Sequence, residues 1–419
     1  MINQKREIMN DPSDQGIPKD LFTVKELERY AEILMWGVET ARQKTFKPDD
    51  TILIQAHMAA MPLARIIHKM ILQRGMHPIF KLNMPSDMEE DFYSFANDSQ
   101  LSFVAPGKKE IMQQINGSIT VRAPEALTHL EKIEPERLNT RMLSHNFLKQ
   151  IMNQRHREKK SSWTLCAYPS FAHARHANLS IQAYADKIKK ACYLEHSQAL
   201  TVWKDLYEQI LDIKKWLLDL NIDQIHIESK NMDLRLSIGE HRKWLGLSGR
   251  NIPSFEVFTS PDWRSVNGTY FSDQPAFRSG NYIKDIRLIF KKGRVIEATA
   301  EVGEPFLKKR LQTDPGSSQV GEFSLTDKRF SKIDCYMADI LYDENFGGEH
   351  GNCHIALGAA FDNAYNENAL HLSREKRIAL GFNDSAIHWD IVNTEPKMVT
   401  ATLISGKKMV IYDDGQFRH

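Results

Sequence analysis

In the first half of the chain the spacing of apolar positions changes from segment to segment. Thr51–Ala56 (TILIQA) is a nearly continuous apolar run of strand length. Over residues 62–74, Leu63, Ile66, Ile67, Met70 and Ile71 recur at helical spacing. Gly75 follows where a helix end wants a left-handed residue, and residues 78–82 read as strand again. Strand, helix and strand in this order predict a β-α-β unit with parallel strands and a right-handed crossover. Residues 118–122 and 163–167 read as further strands. The stretch after the first strand, AHMAAMP, lacks the glycines of a dinucleotide loop, which argues against a nucleotide site there.

Two helices are predicted next, over 181–192 and 196–220. The second carries Trp203, Leu206, Ile210, Ile213, Trp216 and Leu217, a stripe that reads as buried core. From Ile225 the pattern shortens to alternating strands at 225–227, 233–238 and 286–290. Residues 290–295 (FKKGRV) form a hairpin signal, and 400–412 another, turning at Ser405-Gly406-Lys407. The reading is an α/β N-terminal domain with parallel strands over 1–220, followed by a β-rich α+β domain over 221–419. No internal repeat or low-complexity segment interrupts it.

Composition narrows the function class. The 419 residues are 42% apolar and 26% charged, as in an ordinary globular protein. Lys plus Arg is 55 and Asp plus Glu 54, a net +1 that argues against nucleic-acid or membrane-surface binding. The longest basic run, Arg155-His156-Arg157-Glu158-Lys159-Lys160, is short and reads as a solvated surface turn. Cys166, Cys192, Cys335 and Cys353 form no CxxC pair, which suits a reducing compartment. With no apolar leader segment and no membrane-length run, the expected location is the cytoplasm.

Candidate chemistry lies in the second half. In the strand-like run SAIHWDIV, period-2 alternation puts His388 and Asp390 on one face, where both can reach one cation. Alone, an H-x-D triplet arises often by chance and reads first as a surface or ion-paired pair. The segment ENFGGEHGNCHIALG sets acids and histidines around closely spaced glycines, either a backbone bent around something or a decorated surface loop. In NIPSFEVFTSP, Glu256 stands among Phe255, Val257 and Phe258, costly to bury unless it meets a cation. Glu322, in VGEF, is a similar lone acid. No HExxH helix is present.

Taken together, NIPSFEVFTSP, VGEF, the DEN…HIALG segment and the IHWD strand resemble the aminopeptidase T and aminopeptidase S family of dinuclear metallopeptidases. The resemblance implies a catalytic domain over 221–419 that binds two divalent ions, zinc or cobalt first, with magnesium or manganese also admitted. It implies metal ligation by Glu256, Glu322, His354, His388 and Asp390, and catalysis by a glutamate, Glu322 or Glu256. A further family acid precedes the I-A-L-G histidine. Here it is Glu344 by motif or Glu349 by spacing, and the spacing to His354 favours Glu349. The family's metal-site tyrosine falls on Phe361, with Tyr365 four residues on as a substitute if 361–365 is helical. The implied activity is hydrolysis of N-terminal residues from unblocked peptides by a homodimer. Phe361 keeps open a catalytically weakened peptide- or metal-binding homologue, and another metal-dependent amide hydrolase is the remaining alternative.

Overall fold

The computed structural model describes residues 18, 20–367 and 372–419. A helix at Val24–Arg42 opens this part of the chain. Thr23 accepts the Glu26 N–H while the Glu26 carboxylate accepts the Thr23 N–H, a reciprocal cap for two otherwise orphaned donors. Its buried face, Leu27, Tyr30, Ala31, Leu34 and Val38, lies against a parallel sheet.

The strands in chain order begin with β1 (Thr51–Ala56), β2 (His77–Leu82), β3 (Gly117–Arg122) and β4 (Ser162–Ala167). Between β1 and β2 runs the helix Met61–Gln73, with Pro62 in its first turn and Gly75 beyond its end at φ +70°. The predicted β-α-β unit is therefore present. The sheet order is β2-β1-β3-β4-β7, all parallel, the last strand being β7 (Asn251–Ile252). The helix Ala199–Asp219 buries Trp203, Leu206, Ile210, Ile213 and Leu217, as the stripe predicts, whereas Trp216 of the same stripe is only half-buried. Trp203 stacks on Phe255 with ring centroids 5.6 Å apart, which joins this helix to the segment carrying Glu256.

Antiparallel structure begins at β5 (Ile222–Ser229) and β6 (Asp233–Ser237). After β7 come β8 (Glu256–Thr259), β9 (Asp262–Ser272), and the small hairpin of β10 (Ala276–Arg278) and β11 (Asn281–Ile283). Next are β12 (Ile286–Lys291), β13 (Arg294–Thr299), β14 (Val320–Thr326), β15 (Asn352–Gly358) and β16 (His388–Asn393). The chain closes with β17 (Lys397–Leu403), β18 (Lys408–Asp413) and β19 (Gln416–Phe417). Lys292 and Gly293 turn the β12–β13 hairpin, both at positive φ, and Gly406 turns β17 into β18. An eight-stranded sheet runs β13-β12-β9-β6-β5-β17-β18-β19, and a four-stranded one runs β16-β15-β14-β8. Every residue of β8, β14 and β15 is buried, so this small sheet lies inside the protein. The fold is a parallel α/β region followed by an antiparallel β-rich one. Among the described residues, no helix is long and apolar enough to cross a membrane.

Candidate metal centre

The four-stranded sheet collects the candidate residues on one face. Glu322 and Ser324 alternate along β14, His354, Ala356 and Gly358 along β15, and His388 and Asp390 along β16. Register sets Ser324 opposite His354, Ala356 opposite both Glu322 and Asp390, and Gly358 opposite His388. Glu322, Asp390 and His388 thus face only alanine or glycine across the strands, which leaves room above that part of the sheet. Glu256 enters from β8, opposite Thr326. Gly321 has a separate steric reason: a Cβ there would lie 2.3 Å from the Gly358 carbonyl oxygen and 2.4 Å from that of Ala359.

The side chains converge. His354 Nε2 lies 3.3 Å from Glu256 Oε2 and 3.5 Å from Glu322 Oε1. The other oxygen of Glu322 is 3.1 Å from His388 Nε2, and that nitrogen is 3.2 Å from Asp390 Oδ1. The ligand atoms form two triads, Glu256–Glu322–His354 and Glu322–His388–Asp390, each with all members within 4.8 Å. Glu322 belongs to both. His388 Nδ1 sits 2.9 Å from the Ala359 carbonyl oxygen, so that nitrogen carries a proton and Nε2 is the one turned to the carboxylates.

Glu344 joins this group and Glu349 does not. The helix Ile340–Asp343 delivers Glu344, and that helix is capped by Asp339, whose carboxylate accepts the Leu341 N–H. On either side of Glu344 the chain is fixed: Asp343 accepts the Met337 N–H at 2.8 Å, and Asn345 accepts the Phe255 N–H at 2.5 Å. The Glu344 carboxylate is buried and accepts from Asn251 Nδ2 at 3.1 Å. The Glu349 carboxylate is 86% exposed, its nearest ionic neighbour His350 at 3.9 Å. Gly348, at φ +46°, turns the loop outward ahead of it. The spacing argument for Glu349 therefore does not match its position in the fold.

Electrostatics show a cluster short of positive charge. Burial pushes Glu344 well above the usual carboxylate range, and the nearby Glu256 and Asp390 push it further. Glu256 is also raised, by burial and by Glu322, with His354 opposing. Burial works against protonated His354 and His388, yet the surrounding carboxylates hold both well above the usual histidine value. Asp390 is raised by burial but lowered overall by the His388 charge. His354 Nδ1 is buried and without a hydrogen-bond partner among the described residues, and Nε2 is met only by the Glu256 and Glu322 carboxylates. Oxygen and imidazole donors, concentrated and left unsatisfied by protein, fit divalent cations.

Around the cluster, the Phe361 ring centroid is 4.8 Å from that of His388 and 5.6 Å from that of Phe258. The 361–365 segment is a short 3-10 turn at Asp362–Ala364 followed by an extended Tyr365, so the expected shared helix face does not form. Tyr365 is buried and donates its hydroxyl to Glu367. Two residues that sequence reasoning missed belong to this neighbourhood. Asn251 orients Glu344, and Arg278 donates to the His388 carbonyl oxygen. Asn251 lies in the NIPSFEVFTSP segment and so carried a signal, whereas Arg278 sits in a short hairpin with none.

The thermophilic metalloprotease family, M29, matches residues 23–417. The chain belongs to this family. It is 26% identical to aminopeptidase 2 of Geobacillus stearothermophilus, over 94% of this chain and 98% of that one. Aminopeptidase PepS of Streptococcus thermophilus is 23% identical over the same shares of both chains. Aminopeptidase T of Thermus aquaticus is 28% identical, over 61% of this chain and 65% of that one. Wild-type AmpT from Thermus thermophilus superposes with a TM-score of 0.77 at 19% identity, covering 94% of this chain and 99% of that one, and this likeness establishes the fold. The chain is accordingly a metalloprotease whose cofactor is a divalent metal.

Proposed function

We propose that this metalloprotease is a dinuclear aminopeptidase that removes N-terminal residues from unblocked peptides. The observation that carries the reading is Glu322, the one residue shared by the two triads, with one oxygen toward His354 and the other toward His388. In this reading Glu256, Glu344 and His354 would hold one ion, His388 and Asp390 the second, and Glu322, common to both triads, would serve both. When bound, such a pair supplies a water of lowered pKa and polarises the scissile carbonyl. Of the two glutamates flanking His354, Glu256 and Glu322, the one whose carboxylate is not committed to the ions would take the water's proton and return it to the departing amine. Ala359, through the His388 Nδ1–H bond, keeps that imidazole presenting Nε2. The aminopeptidase names of its relatives support the direction of attack from a free amino terminus.

Phe361 stands beside His388 with no hydroxyl to offer an oxyanion. Tyr365 does not replace it, because its hydroxyl goes to Glu367. Turnover should therefore be slower than a tyrosine at position 361 would allow. The same reading carries a cytoplasmic homodimer, which sedimentation of the purified chain tests. The activity itself is tested with chromogenic aminoacyl amides and their N-acetylated counterparts, before and after chelation and with zinc, cobalt, magnesium or manganese restored. Cleavage of the free-amine substrates alone, lost on chelation and recovered with metal, is the expected result. Metal binding without turnover would establish the weakened homologue instead.

A further inference from the structure

The basic run at 155–160 is not an isolated surface turn. It folds against the end of the first helix and the start of β3 to line a cavity of about 600 Å³. The lining residues Arg42, Lys44, Arg155, Lys159 and Lys160 meet one carboxylate, Glu158, a balance of five positive charges to one negative in a chain of net charge +1. Gln114 and Asn116 complete the wall, and no member of the metal cluster contributes.

Two of these cations are already neutralised, since Arg42 pairs with Asp50 at 2.9 Å and Lys160 with Glu158 at 2.7 Å. Lys44, Arg155 and Lys159 have no carboxylate partner among the described residues. Both guanidinium groups are held in place. Arg42 Nε donates to the Lys159 carbonyl oxygen at 3.3 Å, and Arg155 Nη2 donates to that of Ile115 at 2.7 Å. Arg155 Nε is buried with no partner. Gathering like charges from three segments is unfavourable in itself, at about 1 kcal/mol per close pair even in water. The fixed Arg155 guanidinium, without a carboxylate partner, and the exposed ammoniums of Lys44 and Lys159 form a donor set that suits phosphate oxygens. No aromatic side chain lines the cavity, so a base would find nothing to stack on.

We infer that this cavity is a binding site for a multiply charged phosphate oxyanion, recognised by its phosphate chain and separate from the metal centre. The test is calorimetric titration of the metal-loaded protein at 150 mM salt with inorganic triphosphate, a nucleoside triphosphate and single phosphate. The comparison is the Lys44→Gln/Lys159→Asn double variant. Both side chains are exposed, and asparagine tolerates the positive φ of position 159. Chelation of the protein's metals by phosphates is the same in both proteins, so the difference between them reads the cavity. The expected result is saturable triphosphate binding, one per chain, at least tenfold weaker in the double variant, with free-enzyme peptidase activity equal in both. Equal affinity for the inorganic and nucleoside triphosphates assigns recognition to the phosphate chain, and tighter nucleoside binding adds a base contact to the same site. Binding that survives unchanged in the double variant, or triphosphate binding no tighter than single phosphate, overturns the proposal.

Discussion

Replacing Glu344 by glutamine separates the fold's choice of loop acid from the one suggested by spacing. The substitution preserves volume, and its amide oxygen can still accept from Asn251 as the carboxylate does at 3.1 Å. What it removes is charge. Without metal that charge is unfavourable, because the carboxyl is buried beside Glu256 and Asp390. The metal-free variant should therefore be as stable as the wild type or more so. With metal the sign reverses. Losing a residue that merely supports a ligand already costs roughly 10–100-fold in metal affinity, so losing a ligand should cost at least ~100-fold, about 2.7 kcal/mol. The same amount is then missing from the stabilisation that metal gives the wild type. Glu349→Gln, at a side chain 86% exposed, should stay within about 0.5 kcal/mol of wild type with or without metal. The assay is thermal unfolding of each protein, chelated and metal-saturated, with metal content measured after dialysis. Full metal retention in Glu344→Gln together with loss in Glu349→Gln would refute the reasoning.

Four further outcomes are expected. Glu322→Gln should remove activity while leaving the circular dichroism spectrum unchanged, and more than a few per cent of wild-type turnover at full metal content would reject its bridging role. Phe361→Tyr should raise turnover, by up to the ~10²–10³ that one oxyanion donor is worth, while Tyr365→Phe leaves kcat unaltered. Gly321→Ala should lower activity at least ~10-fold in steady-state assays, since its Cβ would push the Gly358 and Ala359 carbonyls away from the strand beside Glu322. The last concerns His173, which burial, partly opposed by Asp339, draws down to about 4. An unfolded histidine titrates near 6.5, so between those values the unfolded chain binds the extra proton and stability falls as pH drops. From pH 7 to 5 the wild type should lose about 2 kcal/mol more than His173→Gln in denaturant titrations.

The sequence exposes most where a pattern is strictly local. The β1-helix-β2 unit follows from an apolar run, a helical stripe and Gly75, and the β12–β13 hairpin from Lys292-Gly293. The juxtaposition of His388 and Asp390 follows from strand alternation alone. Longer-range geometry is not written so directly. Strand β7 is two residues long and leaves no periodicity, yet it brings Asn251 to Glu344. The choice between Glu344 and Glu349 depends on which way the Gly347-Gly348 turn sends the chain, and glycine leaves that open in the sequence. Position 361 begins an extended stretch broken by a 3-10 turn because Phe361 N–H is drawn to Ser260 Oγ, 101 residues away in sequence. No periodicity argument can see that bond.

The central claim is that two ions sit in the paired triads with Glu322 between them. Anomalous diffraction from crystals grown with manganese or zinc tests it most directly. The account predicts two peaks per chain, roughly 3.5–4 Å apart, one contacting Glu256, Glu344 and His354, the other His388 and Asp390, with Glu322 touching both. A single peak at full occupancy, or peaks that leave Glu322 uncoordinated, would contradict it.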